Sequence, residues 1–107
     1  LAALQVTRFP KIDEDGNVDY HELTDKPLEL SKRPMPVTVC KVGDQIFVDP
    51  TKEEEELVEA RVTISSLDEE HICSLQKGGD GTWSAEELGV AFDLAVKKGG
   101  ELRSKLK

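Results

Sequence analysis

A series of short β-type segments followed by a capped amphipathic segment constrains the fold of this chain more than any other feature. Four runs rich in β-branched and alternating apolar residues lie at positions 37–42, 45–48, 61–66 and 71–77. Turn sequences such as Gly43-Asp44 and Asp68-Glu69-Glu70 separate them. Short turns join antiparallel strands, because a parallel pair needs a long crossover. The sequence therefore predicts a four-stranded, mostly antiparallel sheet.

Helix signals follow the last strand. After a glycine-rich turn at residues 78–81, Ser84 and Glu87 have the spacing of a capping box, as do Thr51 and Glu54 before a short acidic run. We expect one or two helical turns at the first box and a long C-terminal helix at the second. That helix carries an apolar stripe predicted to cover the sheet, with Gly99 as a gap, at Leu88, Phe92, Ala95, Leu102 and Leu106. Gly99-Gly100 is expected to weaken or break it. The predicted fold class is α/β (α+β).

The N-terminal third has a different composition. Leu1-Ala2-Ala3-Leu4 is apolar, with no start methionine and no N-cap, and is typical of the last turns of a helix that begins further upstream. Residues 10–36 are polar, contain four of the five prolines, and predict a connector that needs partners to be ordered. We therefore expect residues 1–35 to be a helix remnant and connector from a missing first domain, and residues 36–107 to be a C-terminal domain.

Charge and cysteine usage limit the function. Asp and Glu outnumber Lys and Arg by 22 to 14, and the net charge is −8. This balance argues against free-standing nucleic-acid binding, which relies on clustered cations. No apolar run is long enough to span a membrane. Cys40 and Cys73 lie in predicted strands without a nearby metal ligand, so we expect buried, reduced thiols.

A calcium-binding loop is the alternative that the acidic connector raises. Six positions match an EF-hand loop: Asp13, Asp15, Gly16, Val18, Asp19 and Glu22. Lys11, however, stands where the first carboxylate ligand is required, and Pro10 stands where the incoming helix should lie. An acidic turn explains the same residues. The glycine turn ahead of Ser84 could hold an anion on backbone amides, or it could simply need positive φ angles. Neither His21 nor His71 has an adjacent nucleophile, and we predict no metal site and no cofactor.

The order of segments between residues 36 and 94 resembles the C-terminal domain of the RNase PH family. The stretch VTVCKVGDQIFVDPTKEEE resembles its strand, turn, strand and Asp-Pro-Thr segment, and ARVTIS resembles its next strand. The stretch HICSLQKGGDGTWSAEEL resembles its last strand, glycine turn and helix start. Active members of this family degrade RNA from the 3′ end with phosphate as the attacking group. The resemblance therefore implies an RNase PH domain 2-like fold and a place in RNA degradation.

The resemblance also identifies two positions for comparison with active relatives. Those relatives carry an aspartate after the alanine that begins the third strand and another acid about six residues earlier. Here Ala60 is followed by Arg61, while Glu55 occupies the earlier position. Arginine cannot ligate a metal or accept a proton. The resemblance thus implies a non-catalytic exosome ring subunit without catalytic residues of its own.

Such a subunit would act with partners. The expected ones are an active RNase PH-like sister subunit in a hexameric hetero-oligomeric ring, and RNA reached through the assembled complex, with Arg61 as a candidate phosphate contact. The expected location is the cytoplasm, or also the nucleus and nucleolus in a eukaryote. Two alternatives stay open: an active phosphorolytic exoribonuclease and a calcium-binding or other interaction module.

Overall fold

The computed structural model describes residues 1–106, which divide into two compact units, residues 1–33 and the residues from Pro34 onward. The first unit contains α1 (Ala2–Val6), β1 (Arg8–Ile12) and β2 (Val18–Pro27). The second contains β3 (Met35–Val42), β4 (Gln45–Val48), α2 (Lys52–Glu55), β5 (Ala60–Ser66), β6 (Ile72–Gly78) and α3 (Ala85–Lys105). No helix among residues 1–106 is long and apolar enough to cross a membrane.

The first unit is a hairpin where the sequence predicted a polar connector. β1 and β2 pair antiparallel, and the register shifts on both sides of Pro10. Proline has no amide hydrogen to donate to the ladder, which fits its place at an irregularity. None of residues 1–33 is buried. Backbone hydrogen bonds therefore define this hairpin, and it lacks the buried alternating face by which strands are found in sequence.

The second unit contains the predicted antiparallel sheet. Its strand order is β4-β3-β5-β6, with every neighbouring pair antiparallel. Along β5 burial alternates: Val62, Ile64 and Ser66 are buried on one face, while Arg61 lies on the other. The core joins β3 and β5 to the helix and consists of Val37, Val39, Val62, Ile64, Ala91 and Ala95. The predicted fold class and helix-on-sheet arrangement are confirmed.

Helix α3 differs from its prediction in two ways. It runs without interruption through Gly99-Gly100, so the alternative of a break at this pair is wrong. The face against the sheet is centred on Ala91, Ala95 and Gly99, which are its buried residues. A Cβ atom on Gly99 would lie 2.6 Å from the Ser66 Oγ atom. Gly99 is therefore the point of closest approach to the sheet, and small side chains let the helix lie near it.

Strand β6 corrects the predictions for the second cysteine and for the strand's faces. Cys40 is buried as expected, but Cys73 is exposed. An irregularity between Ser65 and Ser66 shifts the pairing, so that Ile72 lies opposite Ser66. Because one extra residue resets the alternation of a strand, Ile72 shares a face with Leu75 instead of opposing it. Most of β6 is solvent-exposed, since α3 packs on the other three strands.

Candidate functional site

Arg61 and the glycine turn, both singled out by the sequence, lie at one end of the sheet, which we call the glycine-turn end. It comprises the end of β3, the start of β5, the end of β6 and the turn of residues 78–81 that leads into α3. The Glu59 amide donates to the Lys41 carbonyl oxygen over 3.0 Å, and the Gly81 amide donates to the Glu59 carbonyl oxygen over 2.8 Å. These bonds fix the entry to β5 against the glycine turn.

Glycine is required in this turn for steric reasons. A Cβ atom on Gly79 would lie 2.7 Å from the Glu59 carbonyl oxygen, and one on Gly81 would lie 2.8 Å from the same atom. Gly79 also has φ +82°, in the left-handed region that favours glycine. The predicted positive-φ turn between strand and helix is confirmed. The Gly81 amide, which an anion could otherwise have used, donates to Glu59.

An ion pair between β3 and α3 stabilises the glycine-turn end. The Lys41 Nζ atom lies 2.7 Å from the Glu87 Oε1 atom, with side chains 15% and 26% exposed, and it donates to the Thr82 carbonyl oxygen over 3.0 Å. Glu87 also completes the predicted capping box with Ser84. Lys41 foremost, together with the Ser84 amide, stabilises the charged carboxylate and lowers the pKa of Glu87 below its usual 4.5. Lys41 thus ties the start of α3 to β3.

Trp83 packs next to this ion pair. Its ring is half-buried against the core, and the Lys41 ammonium lies 5.9 Å from the ring centroid. That distance suits a cation–π interaction. The Trp83 Nε1 atom is buried and, within residues 1–106, has no hydrogen-bond acceptor. The indole contributes apolar area and a ring face to the helix start.

Arg61 lies on the open face of the sheet, opposite α3. In the register of the sheet it stands between Cys40 and Gly78. A Cβ atom on Gly78 would lie 2.9 Å from the Arg61 Nε atom, so the guanidinium extends over the glycine. On the same face, the hydroxyls of Thr38 and Thr63 form a hydrogen bond of 2.8 Å. This face offers solvent a cation and small polar groups.

Glu55 and Arg61 both act on the Cys40 thiol. Burial, the largest influence, raises the pKa of Cys40, the positive charge of Arg61 lowers it, and the negative charge of Glu55 raises it. The two positions identified by the resemblance therefore both lie within electrostatic range of Cys40. A thiol held in its neutral form by burial is a weak nucleophile, so Cys40 is part of the packing at this end.

The open face has the chemistry of an anion contact. Among residues 1–106, no group of three His, Cys, Asp or Glu side chains comes together in a way that could hold a metal ion. Arginine donates hydrogen bonds in a fixed fork that matches phosphate oxygens. It can hold a phosphate group, but it can neither ligate a metal nor remove a proton.

The calcium-loop residues lie in the turn between β1 and β2 and in the start of β2. The Lys11 Nζ atom lies 2.5 Å from the Glu22 Oε2 atom, so the residues at the first and last ligand positions form an ion pair with each other. Asp13 accepts hydrogen bonds from the backbone amides of Asp15 and Asn17, as in a side-chain-capped turn. Strands flank this loop where an EF-hand has helices. The acidic residues therefore shape a turn.

The structure also contains contacts around this end of the sheet that the sequence did not predict. The Lys41–Glu87 pair joins residues distant in sequence, and no local pattern indicates it. Glu59 was not singled out, although its backbone fixes the glycine turn and its Oε1 atom accepts from the Gly43 amide over 3.3 Å. The three glycines at the end of β6 and in the turn after it were a usable signal, because clustered glycines often mark a close backbone approach.

Comparisons with known proteins identify the family of this chain. Residues 32–98 match the 3′ exoribonuclease family, domain 2. The chain is 38% identical to the exosome complex component Rrp42 of Thermococcus kodakarensis over 99% of its length, and 36% identical to that of Methanopyrus kandleri over its whole length. In each case it spans 40% of the relative.

Solved structures show the same fold. The chain resembles an exosome of Archaeoglobus fulgidus with RNA bound to the active site, with a TM-score of 0.79, 26% identity, and coverage of 98% of this chain and 39% of that one. An archaeal exosome core gives a TM-score of 0.76 at 25% identity, covering 97% of this chain and 40% of that one. The fold, the glycine turn and the family match thus lead to one conclusion: this chain belongs to the 3′ exoribonuclease, or RNase PH, family and carries its second domain.

Proposed function

We propose that this chain is the C-terminal part of a non-catalytic structural subunit of an exosome ring. In that role it supports 3′-to-5′ phosphorolytic RNA degradation by an active sister subunit. The exosome relatives at 36–38% identity and the exosome structures with TM-scores of 0.76–0.79 support this role. The division into a connector at residues 1–35 and a C-terminal domain at residues 36–107, and a cytoplasmic location, belong to the same proposal.

The position of Arg61 carries the non-catalytic assignment. Phosphorolysis in this family needs acids that hold a divalent metal and offset the charge developing during phosphoryl transfer. Arg61 follows Ala60 on the open face, where active relatives have an aspartate, and extends over Gly78. Glu55 is the acid at the earlier position, and a single carboxylate does not make a metal site. The chain therefore lacks the chemistry for cleavage.

RNA contact, in this proposal, takes place through the assembled ring. The net charge of −8 disfavours independent RNA binding. Arg61 is an exposed cation on the open face and matches the geometry of a phosphate group. We propose that it contacts an RNA phosphate across a subunit boundary, as a positioning residue for the sister's active site.

Reconstitution tests the assignment. The purified protein, given RNA, phosphate and magnesium, should release no nucleoside diphosphates, and release should begin when an active sister subunit is added. Arg61→Asp alone should not create activity, because a metal site needs several carboxylates. Release by the purified protein without a sister would overturn the non-catalytic role.

The RNA contact is tested separately in the reconstituted complex. Arg61→Ala should raise the KM for RNA about tenfold, the loss expected from one charge-assisted hydrogen bond, with little change in kcat. Arg8→Ala, which removes an arginine from the hairpin, is the matched control and should leave KM unchanged. Equal KM values for Arg61→Ala and the unmodified complex would exclude the phosphate contact while leaving the structural role intact.

A further inference from the structure

Helix α3 leaves one strand of the sheet uncovered. It packs on β3, β5 and β4, while β6 lies beside it at the sheet edge. On the helix side of β6, Ile72 is 42% exposed and Leu75 is 49% exposed. Both oppose buried residues of β5 in the register, so they face the side on which the core lies. An apolar strip thus continues the core surface beyond the helix.

A groove of about 610 Å³ lies between this strip and α3. Its apolar lining comes from Ile72 on β6 and from Phe92 and Val96 on the helix. Phe92 is only partly buried and also packs against the core cluster. The groove is therefore an open margin of the hydrophobic core.

The dimensions of the sheet leave room for a second helix. Neighbouring strands lie about 4.8 Å apart, so four strands span about 14 Å between their outer axes. Packed helices lie about 8–10 Å apart. One helix covers a little more than half of such a sheet, and a second beside α3 would complete the layer over β6.

The groove has an acidic rim. Four carboxylates and one ammonium group line it. Glu101 is paired with Lys98 at 2.9 Å, but among residues 1–106 none of Glu69, Glu70 and Asp93 forms an ion pair. Unpaired carboxylates around an apolar floor attract a segment with the opposite pattern, an apolar stripe flanked by Lys or Arg.

We propose that this groove docks a basic amphipathic helix of a partner protein. No helix elsewhere in residues 1–106 can fill it, because α1 has five residues without a charge and α2 has four residues, three of them Glu. A nucleic acid does not suit an acidic rim. The inference goes beyond the ring role, since it rests on the uncovered strand and not on Arg61.

The test uses labelled synthetic helices and the intact protein. The probe is a peptide of about 18 residues with a leucine stripe flanked by lysines; its counterpart has the same stripe flanked by glutamates. A third peptide has the lysine composition with the stripe scrambled. Fluorescence anisotropy should detect binding of the lysine-flanked peptide only, weakened by added salt.

Variants locate the site. Ile72→Asp should weaken binding by about tenfold or more, because it places a charge on the apolar floor. Val90→Asp is the matched control, because it also replaces an exposed apolar residue with aspartate but lies on α3 outside the groove. Combining Glu69→Lys, Glu70→Lys and Asp93→Lys at exposed positions should transfer binding from the lysine-flanked to the glutamate-flanked peptide.

Several outcomes would overturn the proposal. It is wrong if the lysine-flanked peptide fails to bind, if the scrambled peptide binds equally, or if Ile72→Asp and Val90→Asp have equal effects. Loss of ring assembly in Ile72→Asp without peptide binding would show a subunit interface in place of a helix-docking groove. Because the ring role is read from nucleoside diphosphate release, failure here leaves that proposal standing.

Discussion

At Gly99 the backbone of α3 comes close enough to Ser66 to leave no room for a methyl group. Ser66 is fully buried, and its carbonyl and hydroxyl oxygens accept hydrogen bonds from the Arg103 guanidinium at 2.6 and 3.1 Å. The serine is therefore held on the side facing the helix. Gly100, the next residue, has open space where its Cβ atom would lie.

Substitution of these two glycines should have opposite effects. Gly99→Ala should lower the free energy of unfolding by about 1–2 kcal/mol, because a clash costing about 1–3 kcal/mol outweighs the helix propensity gained. Gly100→Ala, the matched control, should raise it by about 0.5–1 kcal/mol. Urea unfolding at neutral pH measures both.

Removing the Ser66 hydroxyl tests whether the clash with this group causes the loss of stability. Ser66→Ala in the Gly99→Ala background should recover part of the lost stability, which a double-mutant cycle would detect as a coupling between the two positions. A Gly99→Ala variant as stable as the unmodified protein would contradict the close contact.

At single residues, the sequence predicted the chemical character of a side chain better than its neighbours in the fold. The guanidinium of Arg61 has the same charge wherever it lies. Its inability to ligate a metal could therefore be argued from the residue type and from its position in the family pattern. The buried roles of Ala91 and Gly99 could not, because alanine contributes little to an apolar stripe and glycine reads as a helix breaker. Both residues allow a short distance between the helix and the sheet, and the periodicity of the sequence does not indicate that distance.

Between elements, the Lys41–Glu87 contact links β3 to the first turn of α3. Glu87 is partly shielded, and its carboxylate meets both the lysine and the helix N-terminus. Negative charge is favoured there because the first-turn amides point toward it. The charged form of Glu87 therefore stabilises the junction of strand and helix.

This contact predicts a pH-dependent contribution to stability. The folded pKa of Glu87 lies below its usual 4.5, so its contribution is complete above that value and is lost as the pH falls through the folded pKa. Glu87→Gln keeps a capping-box side chain but removes the charge. Its urea midpoint should lie below that of the unmodified protein at neutral pH and converge with it in acid.

Glu86→Gln is the control for this measurement. It removes a charge from the same helical turn at an exposed residue that lacks the contact with Lys41. Its midpoint should stay close to that of the unmodified protein at both pH values. A gap between Glu87→Gln and the unmodified protein that persists unchanged in acid would contradict the role of the charged pair.

The elements found from sequence are those with a buried face or a cap. Strand β5 alternates buried and exposed residues, and both capping boxes form as predicted. The hairpin β1–β2 was missed because no residue in it is buried and its prolines indicate a break. The bulge in β6 was missed as well, since an inserted residue changes which side chains share a face without changing composition.

For the molecule as a whole, the two units differ in how much they bury. Among residues 1–106, every buried residue lies in the second unit, and the first unit has none. Regions with few buried apolar contacts open at low free energy, whereas core strands open only near the global unfolding free energy. The antiparallel ladder of the hairpin therefore has no hydrophobic layer to protect it.

Hydrogen exchange should separate the units. We expect the amides of β2 to exchange far faster than those of β5, measured by mass spectrometry on peptides from each strand. The outer strand β6 is an internal comparison for β2. Both strands are exposed, but β6 is paired with the core strand β5. Protection of β2 equal to that of β5 would contradict this expectation.

The positions of the aromatic residues give each unit its own optical reporter. The chain has one tryptophan and one tyrosine. Trp83 packs at the start of α3, and Tyr20, which is 80% exposed, lies on β2. Emission excited at wavelengths that only indole absorbs will follow the second unit alone, while phenol emission comes from the hairpin. Unfolding of the two units can thus be followed in one sample without a label.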